Sequence, residues 1–294
     1  PPPHQSSAAS DVYKRQPPKP SKKDFNPDYT LLLFEEPEAF LHPSQQDVLF
    51  RSLKDLGESD GQQVVVSTHS AQFVGKSVRD LTSILRLHRS DKDTVAYQLT
   101  ESTMQEVLDN NLVAARKFGE DQDPNFDEEL RMADEELRYF LWLDSERSSL
   151  FFARHVLLCE GASEKIYFDY LADNEWGFLR ESRVYILDCL GKYNLHRFIH
   201  LLTELGIPHS VIFDGDNNRG IHATWNRIVT SASTSLTSGV HQFAEDLEEF
   251  LGIPKPQGRS DLKPINIIKR HVDGLIDGQK KSDLEAIVKG LVGV

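Results

Sequence analysis

The sequence predicts an α/β protein with two parallel-sheet parts joined by a charged helical segment. Three observations carry this. Short apolar runs, Tyr29-Thr-Leu-Leu-Leu-Phe34, Val64-Val-Val66, His155-Val-Leu-Leu-Cys159, Arg183-Val-Tyr-Ile-Leu187 and Val211-Ile-Phe213, have the length and character of buried strands. Most of them end in acidic or polar residues and lead into stretches with helical spacing. From His155 to Asp214 the pattern runs strand, helix, strand, helix, strand with short connections, which implies parallel strands and right-handed crossovers.

The whole chain sets bounds on function. At 294 residues there is room for one large or two modest domains, and 39% hydrophobic with 27% charged residues describes a soluble globular protein. No apolar stretch approaches the roughly 20 residues needed to span a bilayer. The first residues lack the apolar core of a signal peptide. Cys159 and Cys189 each end an apolar run and read as small buried residues, so a reducing, cytoplasmic setting is expected. A net charge of −13 argues against a surface that wraps nucleic acid. It leaves room for an enzyme that holds DNA through metal ions.

Taken in order, residues 1–28 are rich in Pro, Ser and Lys without hydrophobic period and are expected to be disordered or foreign to the fold. The strand ending at Phe34 leads into Glu35-Glu36-Pro37-Glu38. A turn, Ala39-Phe-Leu-His-Pro43, then opens a helix over about 44–57 on the spacing of Gln46, Leu49, Phe50, Leu53 and Leu56. The next strand runs into Ser67-Thr-His69-Ser70. Two strands of one sheet are thus expected to deliver Glu35, Glu36 and His69 to one edge. This segment strongly resembles the C-terminal half of ABC-type ATPase heads linked to DNA repair and phage defence. The resemblance implies that Glu35 stands at the Walker B acid, Glu36 at the general base and His69 at the switch histidine, a set suited to phosphoryl transfer. No Gly-x-x-x-x-Gly-Lys-Ser/Thr loop occurs in the chain. By itself the chain is therefore expected to bind ATP poorly, with ATP a cofactor only where the missing half of the site is supplied.

Residues 83–87 and 94–99 read as a hairpin, completing a first domain at 29–100. Residues 101–152 read as a charged helical connector and dimer contact, with Leu130, Ala133, Leu137, Phe140 and Leu141 at helical spacing. The second domain is expected over 153–294. Its first strand ends in Glu160-Gly161. Ser163, as N-cap, opens a helix to about Asn174 with Ile166, Tyr167, Tyr170 and Leu171 on one face. A second helix follows, with Leu195, Phe198, Ile199, Leu202 and Leu205 as its apolar stripe and Gly206 as its stop. The third strand ends in Asp214-Gly215-Asp216. That tripeptide alone is often only a turn. In a parallel sheet, however, Glu160 and Asp214 end strands at the same edge, where ligands bind in open α/β sheets. Glu164, one helical turn after Glu160, can lean back to the same point. Four carboxylates so close would raise one another's pKa, and divalent cations, Mg²⁺ or Mn²⁺, would resolve the repulsion. No His/Cys set competes for zinc.

These residues resemble the Toprim fold of topoisomerases, primases and nucleases. Glu160-Gly161 and Asp214-x-Asp216, with Glu164 added, are similar to the overcoming lysogenization defect (OLD) family, in which an ABC ATPase head precedes a Toprim nuclease domain. The resemblance implies further metal ligands at Asp246 and Glu248, where an ordinary acidic helix start is the plain alternative, and a late catalytic lysine at Lys263, with Lys269 as rival. Residues 230–239 read as a polar, flexible insert, and 284–291 as an amphipathic packing helix. Together the expectation is a metal-dependent DNA endonuclease regulated by an ATPase head, in phage defence or DNA repair. Glu160, Asp214 and Asp216 would hold one cation, and Glu164, Asp246 and Glu248 a second. DNA, further copies of the chain and a partner protein are the expected associates, with no membrane. The alternative is a catalytically silent ATPase or DNA-sensing module acting with a partner protein. Strand passage is disfavoured, because no separate domain with a nucleophilic tyrosine follows.

Overall fold

The computed structural model describes residues 28–74, 77–89, 92–119, 143, 146–256 and 260–294. The chain forms two compact units divided between Thr68 and His69. The connector residues Leu130, Ala133, Leu137, Phe140 and Leu141, and residues 1–27 of the expected tail, lie outside the described residues.

In the first unit, β1 (Thr30–Glu35) pairs in parallel with β2 (Gln62–Ser67), with Glu35 opposite Ser67. Between them runs α1 (Pro43–Gly57), entered through His42. His42 accepts from the Ser44 N–H, its own N–H donates to Gln45 Oε1 (3.3 Å), and Pro43 occupies the first turn, where a missing N–H is harmless. Leu-His-Pro thus has a local structural task. The strands were expected to be buried, and each instead alternates between a half-buried and an exposed face. Burial alternates along both, leaving Leu31, Leu33 and Val65 exposed, because α1 packs against one face of the pair with Leu49 and Leu53.

The second unit holds a four-stranded parallel sheet in the order β6-β5-β7-β8, formed by β5 (His155–Cys159), β6 (Val184–Asp188), β7 (His209–Phe213) and β8 (Thr237–Gln242). Side chains alternate between two cores along β5 and β7. Val156, Leu158, Val211 and Phe213 pack under α6 (Leu195–Glu204), α7 (Ile221–Ser231) and α3 (Glu101–Gly119). Leu157, Cys159 and Ile212 pack under α4 (Ala162–Asn174), and under α9 (Lys263–Val272) and α10 (Gly278–Val292), which contribute Ile267, Leu284, Val288 and Leu291. Each fully buried aliphatic side chain contributes about 1.5–3 kcal/mol. Helices on both faces make this a doubly wound sheet, as the strand–helix alternation predicts. Both cysteines are buried and unpaired, in agreement with the sequence reading.

Three features differ from the sequence reading. The helix after Glu160 is capped at Gly161 and not at Ser163: Glu164 reaches back to accept from the Gly161 N–H (3.1 Å). A short helix, α5 (Gly177–Glu181), precedes β6. The polar stretch 230–239, expected to be a flexible insert, holds the end of α7 and the first three residues of β8, the fourth strand. β8 is joined to β7 by its backbone ladder and by His209, whose Nε2 lies 2.8 Å from Thr237 Oγ1.

The hairpin β3 (Leu85–Arg89) and β4 (Thr94–Gln98) is antiparallel, as expected, and is built onto the second unit. Arg86 donates to the carbonyls of Phe151, Ala153, Leu205 and Gly206 at 3.0–3.3 Å. Gly206 has φ +63, and a Cβ there would meet the Tyr97 ring at 2.2 Å, so glycine is required for both conformation and close approach. A further short helix, α2 (Val78–Thr82), buries Leu81 beside α3.

Candidate functional site

The order β6-β5-β7 creates a switch point. From β5 the chain crosses to β6 on one side and then returns to β7 on the other, so the crevice opens between the C-terminal ends of β5 and β7. Glu160 follows β5 and Asp214 follows β7, and the Asp214 N–H donates to Glu160 Oε2 (3.1 Å). Glu164, on the first turn of α4, is 4% exposed. Beyond β8, Asp246 caps α8 (Leu247–Leu251) by accepting from the Glu249 N–H (2.9 Å), and Glu248 stands in its first turn, fully buried. Four elements therefore bring Glu160, Glu164, Asp214, Asp246 and Glu248 to one edge of the sheet.

Electrostatics show how tightly they interact. Burial pushes the Asp214 carboxyl up to about 9, with Glu164, Glu160 and Asp246 adding to the rise and Lys263 opposing it. Burial raises Glu164 to about 7, with Glu160 and Glu248 contributing, against hydrogen bonds that favour its charged form. Glu160 also rises through burial, while Lys192 and the Asp214 N–H hold it back. Asp214 Oδ1 and both carboxylate oxygens of Glu248 are buried without a hydrogen-bond partner. Such groups are costly unless a cation or donor meets them.

Asp216 stands at the rim, on the Glu160 side, across Lys192. Asp216, Asn217 and Asn218 take φ values of 48, 53 and 52, a left-handed run that Asp and Asn tolerate better than most residues. The turn is tied down by Asp216 N–H to Glu245 O (2.9 Å) and Asn217 N–H to Ala244 O (2.9 Å). A Cβ on Gly215 would lie 2.1 Å from Phe243 O, so the residue between the two aspartates must be glycine. The result sends Asp214 into the crevice and Asp216 to its rim, where it meets Lys192 (2.5 Å) and His222 (2.9 Å). Asp214 and Asp216 thus stand on either side of the turn, and Asp216 stays close enough to Glu160 for Lys192 to lie against both.

Of the two lysines left open by the sequence, Lys263 has its Nζ 3.6 Å from Glu248 and 3.9 Å from Asp246. Burial alone would lower its pKa, but Glu248, Asp246, Asp214 and Glu164 carry it above the ordinary lysine value. Two cations were missed by sequence reasoning. Lys255 pairs with Asp246 (2.6 Å) and with Glu245. Lys192, 2% exposed, sits between Asp216 and Glu160. The signal for Lys192 was present: β6 lies beside β5, so the loop after β6 starts next to Glu160, and the Gly191 N–H donates to Glu160 O (2.7 Å).

Oxygen donors in this number suit a hard divalent cation, and the buried oxygens of Asp214 and Glu248 that lack a hydrogen bond fit one. Among the described residues, no three His, Cys, Asp or Glu side chains are gathered as they stand closely enough to hold a metal ion. Lysines stand where cationic charge is needed.

In the first unit, Glu35 ends β1, and the Glu36 N–H donates to Ser67 O (2.8 Å) with Glu36 at φ 41. Glu38 is buried and accepts from Thr68 Oγ1, a contact the sequence reading passed over. His69 is the first residue of the second unit.

Comparison with known proteins agrees with both halves of the resemblance. Residues 151–216 match the family model described as overcoming lysogenization defect protein-like, TOPRIM domain. Residues 12–74 match an AAA ATPase domain model, and that match begins inside the stretch expected to lie outside the fold. The chain is 25% identical over 185 residues to the OLD nuclease of Thermus scotoductus, covering 63% of this chain and 30% of that protein. It is 28% identical over 189 residues to the Old nuclease of Escherichia phage P2, covering 64% and 28%. It is also 28% identical over 196 residues to the endonuclease GajA of Bacillus cereus strain VD045, covering 67% and 28%. The chain thus spans less than a third of the length of these curated relatives. Among the described residues no helix is long and apolar enough to cross a membrane. The carboxylates after β5 and β7 lie inside the first match and the Glu35-Glu36 strand inside the second, so the chain is similar to an AAA ATPase domain followed by an OLD-like Toprim domain.

Proposed function

We propose that this chain is the Toprim part, with a portion of the ATPase head, of a divalent-metal-dependent DNA endonuclease. One observation carries the reading. Carboxylates from four elements crowd the switch point of a parallel sheet, and Asp214 and Glu248 keep buried oxygens there with no hydrogen-bond partner. Like charges so placed oppose folding unless they serve a cation. The names of the OLD nuclease and GajA endonuclease relatives agree with this chemistry.

Glu160, Asp214 and Asp216 would hold one Mg²⁺ or Mn²⁺, and Glu164, Asp246 and Glu248 a second. When bound, a cation pair supplies an activated water and stabilises the attacking and leaving oxygens of a phosphodiester. The chain's own residues set the conditions. Burial and the neighbouring carboxylates favour the protonated form of Asp214 in the metal-free site, so cation binding is expected to release protons. Lys263, kept charged by four carboxylates, can face the negative charge that develops at a phosphate. The walls from α4 and α8 keep Glu164 and Glu248 away from bulk water. In the first unit, Glu35 and Glu36 would serve ATP with the rest of a nucleotide site. Regulation by ATP, a role in phage defence or repair, and assembly into homo-oligomers belong to the same reading.

The test is nicking of supercoiled plasmid in Mg²⁺ or Mn²⁺, with metal and ATP varied separately. Asp214→Ala should reduce the rate by at least about 100-fold, the scale of losing one electrostatic element of catalysis. Unchanged cleavage would remove this site from the mechanism, and no cleavage by the unmodified protein under any metal would favour a silent sensing module.

A further inference from the structure

Lys192 is a buried cation that neither the motif nor the proposed ligand set uses. It opens the 3₁₀ turn Lys192–Asn194 directly after Gly191, whose φ of 108 suits glycine. Backbone and side chain both close on Glu160: the Gly191 N–H donates to Glu160 O (2.7 Å), and Lys192 Nζ lies 4.0 Å from Glu160 Oε2. The same Nζ is 2.5 Å from Asp216 Oδ2 and 5.8 Å from the centre of the Phe213 ring. The Lys192 side chain is only 3% exposed. A desolvated ammonium needs opposite charge on hand, and here two carboxylates from two different strand ends supply it.

We propose that Lys192 is the resident counter-ion of the Glu160–Asp216 half of the site. Its ammonium holds Asp216 Oδ2 while no divalent cation is present and must give up that oxygen when one binds. Lys192 thereby sets the divalent concentration at which this half of the site fills. It is a positioning residue, acting through Asp216 and Glu160. The inference rests on the two-cation reading above. Its physical basis is competition: an ammonium and a divalent ion cannot share one carboxylate oxygen, and repulsion between them is strong where water is excluded. Asp216 is kept in place for this exchange by its backbone bond to Glu245 O, which does not depend on Lys192.

The experiment measures Mn²⁺ binding to the 294-residue chain by calorimetry and by the electron paramagnetic resonance signal of free Mn²⁺. Lys192→Met should bind Mn²⁺ about tenfold tighter or more, because a competing charge is gone. Lys192→Arg, which keeps the charge, should stay closer to the unmodified protein than Lys192→Met does. Lys280→Met removes an equal charge from α10 and should leave the affinity unchanged. Equal or weaker binding by Lys192→Met overturns the proposal, as does an equal gain in Lys280→Met. If circular dichroism shows that Lys192→Met does not fold, Lys192→Gln takes its place under the same criteria. Absence of Mn²⁺ binding by the unmodified chain overturns the two-cation reading, and this proposal with it. Mn²⁺ binding without the Lys192→Met gain overturns this proposal alone.

Discussion

At the scale of single residues, the crevice trades stability for ligand capacity. Asp214 is buried among Glu160, Glu164 and Asp246, and one of its oxygens has no partner. Asparagine has the same shape and is neutral without having to take up a proton on folding. Asp214→Asn is therefore expected to stabilise the metal-free protein by about 1 kcal/mol, raising its melting temperature by about 2–4 °C, while weakening Mn²⁺ binding at the Glu160–Asp216 half of the site. Differential scanning calorimetry in chelator decides the first part, and a lower melting temperature would show that Asp214 has a structural partner instead. Residue types at the strand ends were legible from sequence because the sheet rule needs only the end of each strand. Lys192, Lys255 and His222 were not, because each reaches the site from a loop or helix whose position depends on strand order.

At the scale of elements, two junctions can be tested. The hairpin β3–β4 docks through Tyr97 onto Gly206 at the end of α6. Gly206→Ala should cost about 2–4 kcal/mol, from left-handed strain together with the clash. Part of that loss should return in a Tyr97→Ala background, since the ring is the atom set in the way. Equal losses in both backgrounds, by urea denaturation, would place the whole cost in the backbone. The second junction is titratable. His200 on α6 bonds Asn111 on α3 (2.6 Å), and His155 on β5 bonds Ser210 on β7 (2.7 Å). Burial pulls both histidines down to about 4, with Arg197 and His209 assisting at His200 and His209 at His155. Their unfolded value is about 6.5. Between these limits the unfolded chain binds more protons, so stability is fully present above about 6.5 and is lost as pH falls towards 4. Discounted for partial exposure, each histidine should account for about 1–2 kcal/mol of that loss. His200→Gln should flatten the slope of stability against pH in this window, and an unchanged slope would exclude His200 as a contributor.

At the scale of the whole molecule, a net charge of −13 works against association with a polyanion. Cations in the crevice are then the natural bridge to phosphate. DNA binding, followed by fluorescence anisotropy, is expected to be absent in chelator and to appear with Ca²⁺ or Mn²⁺. Strong binding in chelator would point to a basic surface elsewhere. The uncovered face of the β1–β2 pair, with Leu31, Leu33 and Val65, belongs to this scale too. A strand's own residues predict that it is apolar, whereas coverage of its second face depends on neighbours that the strand does not encode.

The sequence by itself determined the strand–helix alternation of the second unit, the parallel sense of its sheet and the placing of Glu160 and Asp214 at one edge. Those follow from local periodicity and from the handedness of short crossovers, which need no long-range information. Tertiary structure decided the rest. β8 carries few apolar residues (Thr237-Ser-Gly-Val-His-Gln242) and is a strand because β7 offers it an open ladder. The order β6-β5-β7 brought Lys192 against Glu160, and the close approach of Phe243 O to Gly215 turned Asp214 inward and Asp216 outward. Each of these depends on which segments become neighbours in space, and contacts between segments distant along the chain leave no period in the sequence.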